Sequence, residues 1–202
     1  MQVIKIRPVR FGSNCYFLTV DGKNAVAIDP SVPTIAEEAA RHDLTIRYVL
    51  LTHGHFDHIR GCAGLQAAGA KVGCLEKELP LVFGKDNLAE EFAYMVPPFS
   101  VDFTFSDGET LSLCGMQIEV MATPGHTAGS CCFLCGGALF SGDTLFCGKV
   151  GRTDLPTGDS AALQDSLRRL KALEGDYILH AGHDEDSTLE NERLHNPFMK
   201  VC

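Results

Sequence analysis

No apolar run in the sequence approaches the ~20 residues that a bilayer-spanning helix needs. The N-terminus, Met1-Gln2-Val3-Ile4-Lys5, lacks the charged segment, apolar core and cleavage site of an export signal. Positive charge is also short. Only 17 Lys and Arg face 26 Asp and Glu, a formal net charge of −9, which argues against nucleic acid as the main partner because phosphate binding needs a basic surface. The nine cysteines form an odd count, and Cys132-x-x-Cys135 has no second pair to complete a structural zinc site. Reduced, mostly buried thiols are therefore expected, in a soluble, cytoplasmic protein.

What is present is a dense set of metal-type ligands. The run Thr52-His53-Gly54-His55-Phe56-Asp57-His58 puts three imidazoles and one carboxylate within six positions. Groups packed this closely repel one another and stay poorly satisfied unless a cation lies between them, and imidazole with carboxylate suits zinc, iron or manganese. Cys147, just after another candidate ligand, is the one thiol placed near such chemistry.

At 202 residues the chain is long enough to bury about 70 % of its unfolded surface, so one domain over residues 1–202, or two closely fused halves, is expected. Val3 to Val9, Asn14 to Val20 and Asn24 to Asp29 read as strands separated by turn residues. Thr34 to His42 has helical spacing, and Ile46 to Leu51 is an apolar strand that delivers the His run to a loop at its C-terminal end. Asp57 to Ala68 reads as a helix stopped by Gly69. Glu76 to Phe99 mixes prolines, charges and aromatics, which suggests short helices and a surface loop that is available as a substrate wall. Strands resume at Val101 to Phe105, Thr110 to Leu113, Met116 to Ala122, Ser130 to Leu134 and Ala138 to Ser141, with Asp107-Gly108 and Gly136-Gly137 as hairpin turns. Asp159 to Leu173 is amphipathic through Leu163, Leu167, Leu170 and Leu173.

A faint repeat organises these pieces. Asn24 to Asp29, a helix, and Tyr48 to His53 recur in form as Ala138 to Asp143, a helix, and Tyr177 to His183. Each half runs a strand to an Asp, crosses by a helix and runs another strand to a His. Two such halves packed as a sandwich would bring their strand ends to one edge, where α/β architectures place sites. Thr123-Pro124-Gly125-His126-Thr127 adds a further strand end, whose Pro-Gly turn projects His126. Singly, Asp143 would read as a cap or turn former; together the strand ends point to a metal centre.

The His-x-His-x-Asp-His run, Thr123 to Thr127, Gly142-Asp143-Thr144-Leu145-Phe146 and Gly182-His183 resemble the metallo-β-lactamase fold superfamily, in order and over nearly the whole chain. The resemblance implies an α/β fold, an αββα sandwich of two mixed sheets flanked by helices, with a metal centre at one sheet edge. By motif, His53, His55 and His126 would hold a first divalent metal, and Asp57, His58 and His183 a second, with Asp143 bridging them. Zinc is the expected metal, with iron or manganese compatible. The flavodiiron branch generally has Glu where this chain has His55. Secreted zinc β-lactamases lack a His like His58 and carry export signals.

Gly151-Arg152-Thr153-Asp154-Leu155-Pro156-Thr157-Gly158-Asp159 and Glu192 to Phe198 are similar to short glyoxalase II-like hydrolases. That resemblance implies cleavage of an acyl-thioester of a small thiol carrier by a metal-bound hydroxide. Two cations about 3.5 to 4 Å apart would lower the pKa of water towards ~7 and polarise the carbonyl. Asp57 and Asp143 would orient the nucleophile, and no Ser or Cys nucleophile is required. The sequence stops at Cys202, short of the C-terminal extension that supplies much of the glutathione surface in longer enzymes, so the carrier stays open. Asp184 stands where a small Gly is usual. Arg152 is either a turn residue paired with Asp154 or Asp159, or a planar fork for a substrate carboxylate. The alternative is a persulfide dioxygenase, which by resemblance would hold one iron on His53, His126 and Asp143. A purely structural site normally closes four ligands, fewer than the seven candidates here. No membrane or nucleic-acid partner is expected, and oligomeric state has no signal.

Overall fold

The computed structural model describes residues 1–9 and 11–202. Its first half runs β1 (Gln2–Ile6), β2 (Cys15–Thr19), β3 (Asn24–Ile28), α1 (Ile35–Arg41), β4 (Thr45–Leu51), α2 (Phe56–Ile59), α3 (Cys62–Ala67), β5 (Lys71–Leu75), α4 (Leu79–Phe83) and β6 (Phe103–Phe105). The second half runs β7 (Thr110–Leu113), β8 (Met116–Ala122), β9 (Cys131–Cys135), β10 (Ala138–Gly142), β11 (Leu145–Phe146), β12 (Lys149–Val150), α5 (Ser160–Lys171), β13 (Ile178–Ala181), β14 (Ser187–Thr188), α6 (Leu189–His195) and α7 (Pro197–Lys200). Strands β1 to β6 form one sheet in chain order, and the other has the order β14-β13-β10-β9-β8-β7. Both sheets are mixed: β3 to β6 are parallel, as are β10 and β13, whereas the remaining pairs are antiparallel.

The two-residue period of the strands sorts their side chains into layers. Tyr16, Leu18, Val26, Ile28 and Leu50 face Ile118, Val120, Phe133 and Phe140 between the sheets. The alternate residues Phe17, Ala27, Val49 and Leu51 pack outward under Ile35, Ile59 and Leu65 of the helices. On the far side Leu139 and Leu179 lie under Leu163, Leu167 and Leu170 of α5. The result is the expected αββα sandwich. Because both faces of the central strands are covered, they read as unbroken apolar runs rather than alternating ones.

The repeat is real in the backbone. β3, α1 and β4 form one parallel crossover and β10, α5 and β13 another. Their C-terminal strand ends deliver Asp29, His53, Asp143 and His183 to one edge.

Three details depart from the sequence pattern. The expected helix over 57–68 is two short helices, broken at Arg60-Gly61. There the Gly61 N–H leaves the helical ladder to donate to the Pro30 carbonyl at 2.7 Å, and a Cβ on Gly61 would lie 2.6 Å from the Val32 oxygen. Asp107-Gly108 is a crossover between sheets and not a hairpin, since β6 and β7 belong to different sheets. The hairpin turn nearby is Cys114-Gly115, with φ of +48° and +76°, as a tight two-residue turn requires. The opening strand also stops at Ile6 instead of Val9, two residues before Pro8, which has no N–H for the ladder.

Candidate metal centre

The loop after β4 is fixed before any ligand is considered. Asp29, buried at the end of β3, accepts the Thr52 N–H on Oδ1 at 2.8 Å and the Thr52 hydroxyl on Oδ2 at 2.6 Å. The Thr52 carbonyl takes the Cys131 N–H at 2.9 Å, tying the loop to the second sheet. On the other side of the loop, Glu78 Oε1 accepts the Gly54 N–H at 2.8 Å and the Thr127 hydroxyl at 2.9 Å. One buried carboxylate thereby joins the loop of His53 and His55 to the turn of His126.

The same contacts fix how the imidazoles present their nitrogens. The Thr52 hydroxyl proton is committed to Asp29, so that oxygen accepts His53 Nδ1–H at 3.1 Å and leaves Nε2 bare. His58 Nδ1–H donates to Asp29 Oδ2 at 2.9 Å, and His126 Nδ1–H to the Arg152 carbonyl at 2.8 Å. Partners of this kind set the tautomer of a ligating imidazole and raise its basicity. His55 presents Nδ1 instead, 2.9 Å from His126 Nε2.

All seven expected ligands converge. His53, His55 and His126 form one group whose ligand atoms lie within 4.8 Å of one another, and Asp57, His58 and His183 form another. Asp143 lies between them: Oδ1 is 3.4 Å from His58 Nε2, and Oδ2 is 3.6 Å from His126 Nε2 and 3.5 Å from His183 Nε2. His183 Nε2 is also 3.3 Å from Asp57 Oδ2. The groups are not sharply separated, because the His53 and His58 rings are 4.0 Å apart and His53, His58 and Asp143 form a further compact triad. The approach is close enough that a Cβ on Gly182 would lie 2.3 Å from Asp143 Oδ1.

His53 Nε2, His58 Nε2 and Asp143 Oδ1 are buried without a hydrogen-bond partner. Buried polar atoms are nearly always satisfied, so three such atoms aimed at one another fit a divalent cation. The electrostatics agree. Burial and the neighbouring imidazoles hold His53 well below its ordinary pKa and His55 down to about 3, keeping both neutral as ligands must be. Burial works against charge on His58 and His183 too, yet Asp143 and Asp57 raise both. Burial raises Asp143 and Asp57, but the imidazoles outweigh it and both stay ionised. A field that draws protons onto histidines also draws cations.

Arg152 meets the site through its carbonyl. Its guanidinium pairs with Asp154 at 2.7 and 2.8 Å and is 59 % exposed at the cavity mouth. All nine cysteines are free, with Cys131, Cys132 and Cys135 buried on β9 and Cys147 exposed. Asp29 and Glu78 were not legible as site residues. The repeat offered a signal for Asp29, the counterpart of Asp143 in the first half, whereas nothing in the 76–99 segment marked Glu78.

Asp29→Asn removes the anion that orients His58 and Thr52. Metal affinity, measured by chelator competition, should fall about 10- to 100-fold in a protein whose circular dichroism is retained. Unchanged affinity would contradict the positioning role.

Similarity to known proteins agrees with this geometry. The metallo-beta-lactamase superfamily model matches residues 8–183. The hydroxyacylglutathione hydrolase GloC of Haemophilus influenzae is 37 % identical over 206 residues, covering 97 % of each chain. Among solved structures, the BLEG-1 B3 metallo-beta-lactamase is 30 % identical with a TM-score of 0.87, covering 98 % of each chain. TTHA1623, solved in a di-iron-bound form, is 35 % identical with a TM-score of 0.84, covering 98 % of this chain and 100 % of that one. ETHE1 from Myxococcus xanthus is 26 % identical with a TM-score of 0.81, covering 98 % of this chain and 84 % of that one. The cluster supports divalent metal binding, and the chain belongs to the metallo-β-lactamase superfamily.

Proposed function

We propose that the protein is a binuclear metallohydrolase that cleaves the acyl-thioester of a small thiol carrier, in the manner of glyoxalase II. A fold shared with a β-lactamase does not choose a substrate, so the reading rests on the site and on a relative of matching length named for hydroxyacylglutathione hydrolysis. The observation that carries it is the second ligand group. Asp57, His58 and His183 converge beside Asp143, which supports room for a second metal, although persulfide dioxygenases by resemblance share the same His/Asp run.

In this reading His53, His55 and His126 hold one metal, Asp57, His58 and His183 the other, and Asp143 lies between. Zinc is our expected metal, and the di-iron form of a similar protein keeps iron in view. Two bound divalent cations lower the pKa of water and polarise an acyl carbonyl. The chain supplies the rest. Asp57 and Asp143, ionised beside the cavity, accept hydrogen bonds from a water and orient it towards the carbonyl carbon. A thiolate leaves with little help from an acid. Nine free thiols support a reducing compartment, which we take to be the cytoplasm. Among the described residues no helix is long and apolar enough to cross a membrane.

Arg152 is proposed to release Asp154 and grip a substrate carboxylate, since an exposed pair of this kind is worth little. Arg152→Ala should then raise KM several-fold with metal content unchanged; identical kinetics would remove that role.

The competing reading, a persulfide dioxygenase with one iron on His53, His126 and Asp143, is supported by the proximity of His126 to Asp143 at 3.6 Å and by the likeness to ETHE1. Metal analysis of protein purified without a metal-binding tag, with parallel thioester and persulfide assays, separates the two. Two metals per chain with thioester cleavage are expected. One iron with oxygen uptake on a persulfide would overturn the proposal.

A further inference from the structure

The cavity beside the metal centre, about 380 Å³ in volume, has two unlike walls. One presents His55, Asp57, His126, Asp143 and His183; the facing one is built from Phe11, Phe56, Leu88, Phe92 and Leu155. Three segments far apart in the chain bring these rings together. Phe11 stacks on Phe56 at 5.7 Å and Phe56 on Phe92 at 5.5 Å. Phe56 also stacks on Tyr94 at 5.0 Å, whose outer face is covered by the Arg60 guanidinium at 4.5 Å. Phe56 and Leu88 are buried and form a fixed floor, whereas Phe11 and Phe92 are 50 % and 45 % exposed at the lip. Large rings left half in water beside a concave site mark a surface that a ligand covers.

The basic side chains of the cavity stand apart from this wall, at its mouth. Lys149 and Arg152 are the lysine and arginine lining the cavity among the described residues. Each already holds a carboxylate, Lys149 that of Asp184 at 3.0 Å and Arg152 that of Asp154 at 2.7 Å. Both pairs are exposed and weak, so a charged end of a substrate can exchange with either acid, whereas the aromatic wall offers no charge and suits an apolar group.

We propose that the Phe11, Phe56 and Phe92 wall is a substrate subsite for an aromatic or branched apolar group carried on one side of the scissile thioester, with Phe11 and Phe92 setting specificity. The proposal rests on the thioesterase reading and narrows its substrate class. In the reaction, water oxygen bonds to the acyl carbon, the C–S bond breaks with its electron pair going to sulfur, and the water's protons pass to the thiolate and to solvent. Nothing is oxidised or reduced.

The test uses the metal-loaded full chain and three thioesters: acetyl-2-mercaptoethanol, phenylacetyl-2-mercaptoethanol and the acetyl ester of benzyl mercaptan. One ring-bearing substrate should exceed the acetyl-mercaptoethanol ester in kcat/KM by roughly 10-fold or more, and which of the two gains assigns the wall to the acyl or the thiol side. Phe92→Ala, and Phe11→Ala on a separate segment, should each shrink that ratio several-fold. Calorimetry supplies a second readout, in which phenylacetate or benzyl mercaptan binds and F92A weakens it. Cleavage of all three esters without a ring preference, or a ratio untouched by both variants, overturns the subsite and leaves the thioesterase reading standing. No cleavage of any ester, with F92A-sensitive ring binding retained, supports the subsite and overturns the thioesterase reading.

Discussion

His53 Nε2, His58 Nε2 and Asp143 Oδ1 are gathered in one buried cluster without a hydrogen-bond partner. That arrangement is the constraint on which the rest depends. Desolvated and unpaired, such groups cost several kcal/mol and invite collapse or protonation; a divalent cation converts the same geometry into a binding site. The surrounding protein is organised to hold the lone pairs in place. Asp29 spends its two oxygens on Thr52 and His58, Glu78 joins the His53 loop to the His126 turn, and the Arg152 carbonyl orients His126.

The sandwich makes this affordable. Two parallel crossovers end their strands at one edge, so candidate ligands from residues 53 to 183 meet without a long loop reaching across the molecule. The strands beneath are covered on both faces by helices and by the opposite sheet, which makes the backbone rigid where the side chains must be exact to fractions of an ångström. Phe11, Phe92, Lys149 and Arg152 meet solvent at the lip of the site.

Much of this was written in local sequence. The candidate ligands His53, His126, Asp143 and His183 stand at strand ends, and strand ends are marked by apolar runs giving way to Gly, Pro or Asp. What escaped depended on contacts between distant segments. The helix over 57–68 breaks because Gly61 must fit against the carbonyls of Pro30 and Val32, a clash invisible to helical periodicity. Asp107-Gly108 carries hairpin chemistry but joins two sheets, and only pairing partners could reveal that. Glu78 acts through Gly54 and Thr127, 24 and 49 residues away. The aromatic wall likewise arises from Phe11, Phe56 and Phe92 meeting in space, with no motif in any one segment.

The two residue groups, with Asp143 between them, are proposed to hold two cations. The most direct test is the metal content of His183→Ala beside the wild type, by elemental analysis after equilibration with excess zinc and desalting. His183 is 31 % exposed in its side chain, so its truncation leaves the core packing intact. Two metals per chain are expected in the wild type and one in H183A. Equal occupancy in both proteins, or a single metal in the wild type, would contradict it.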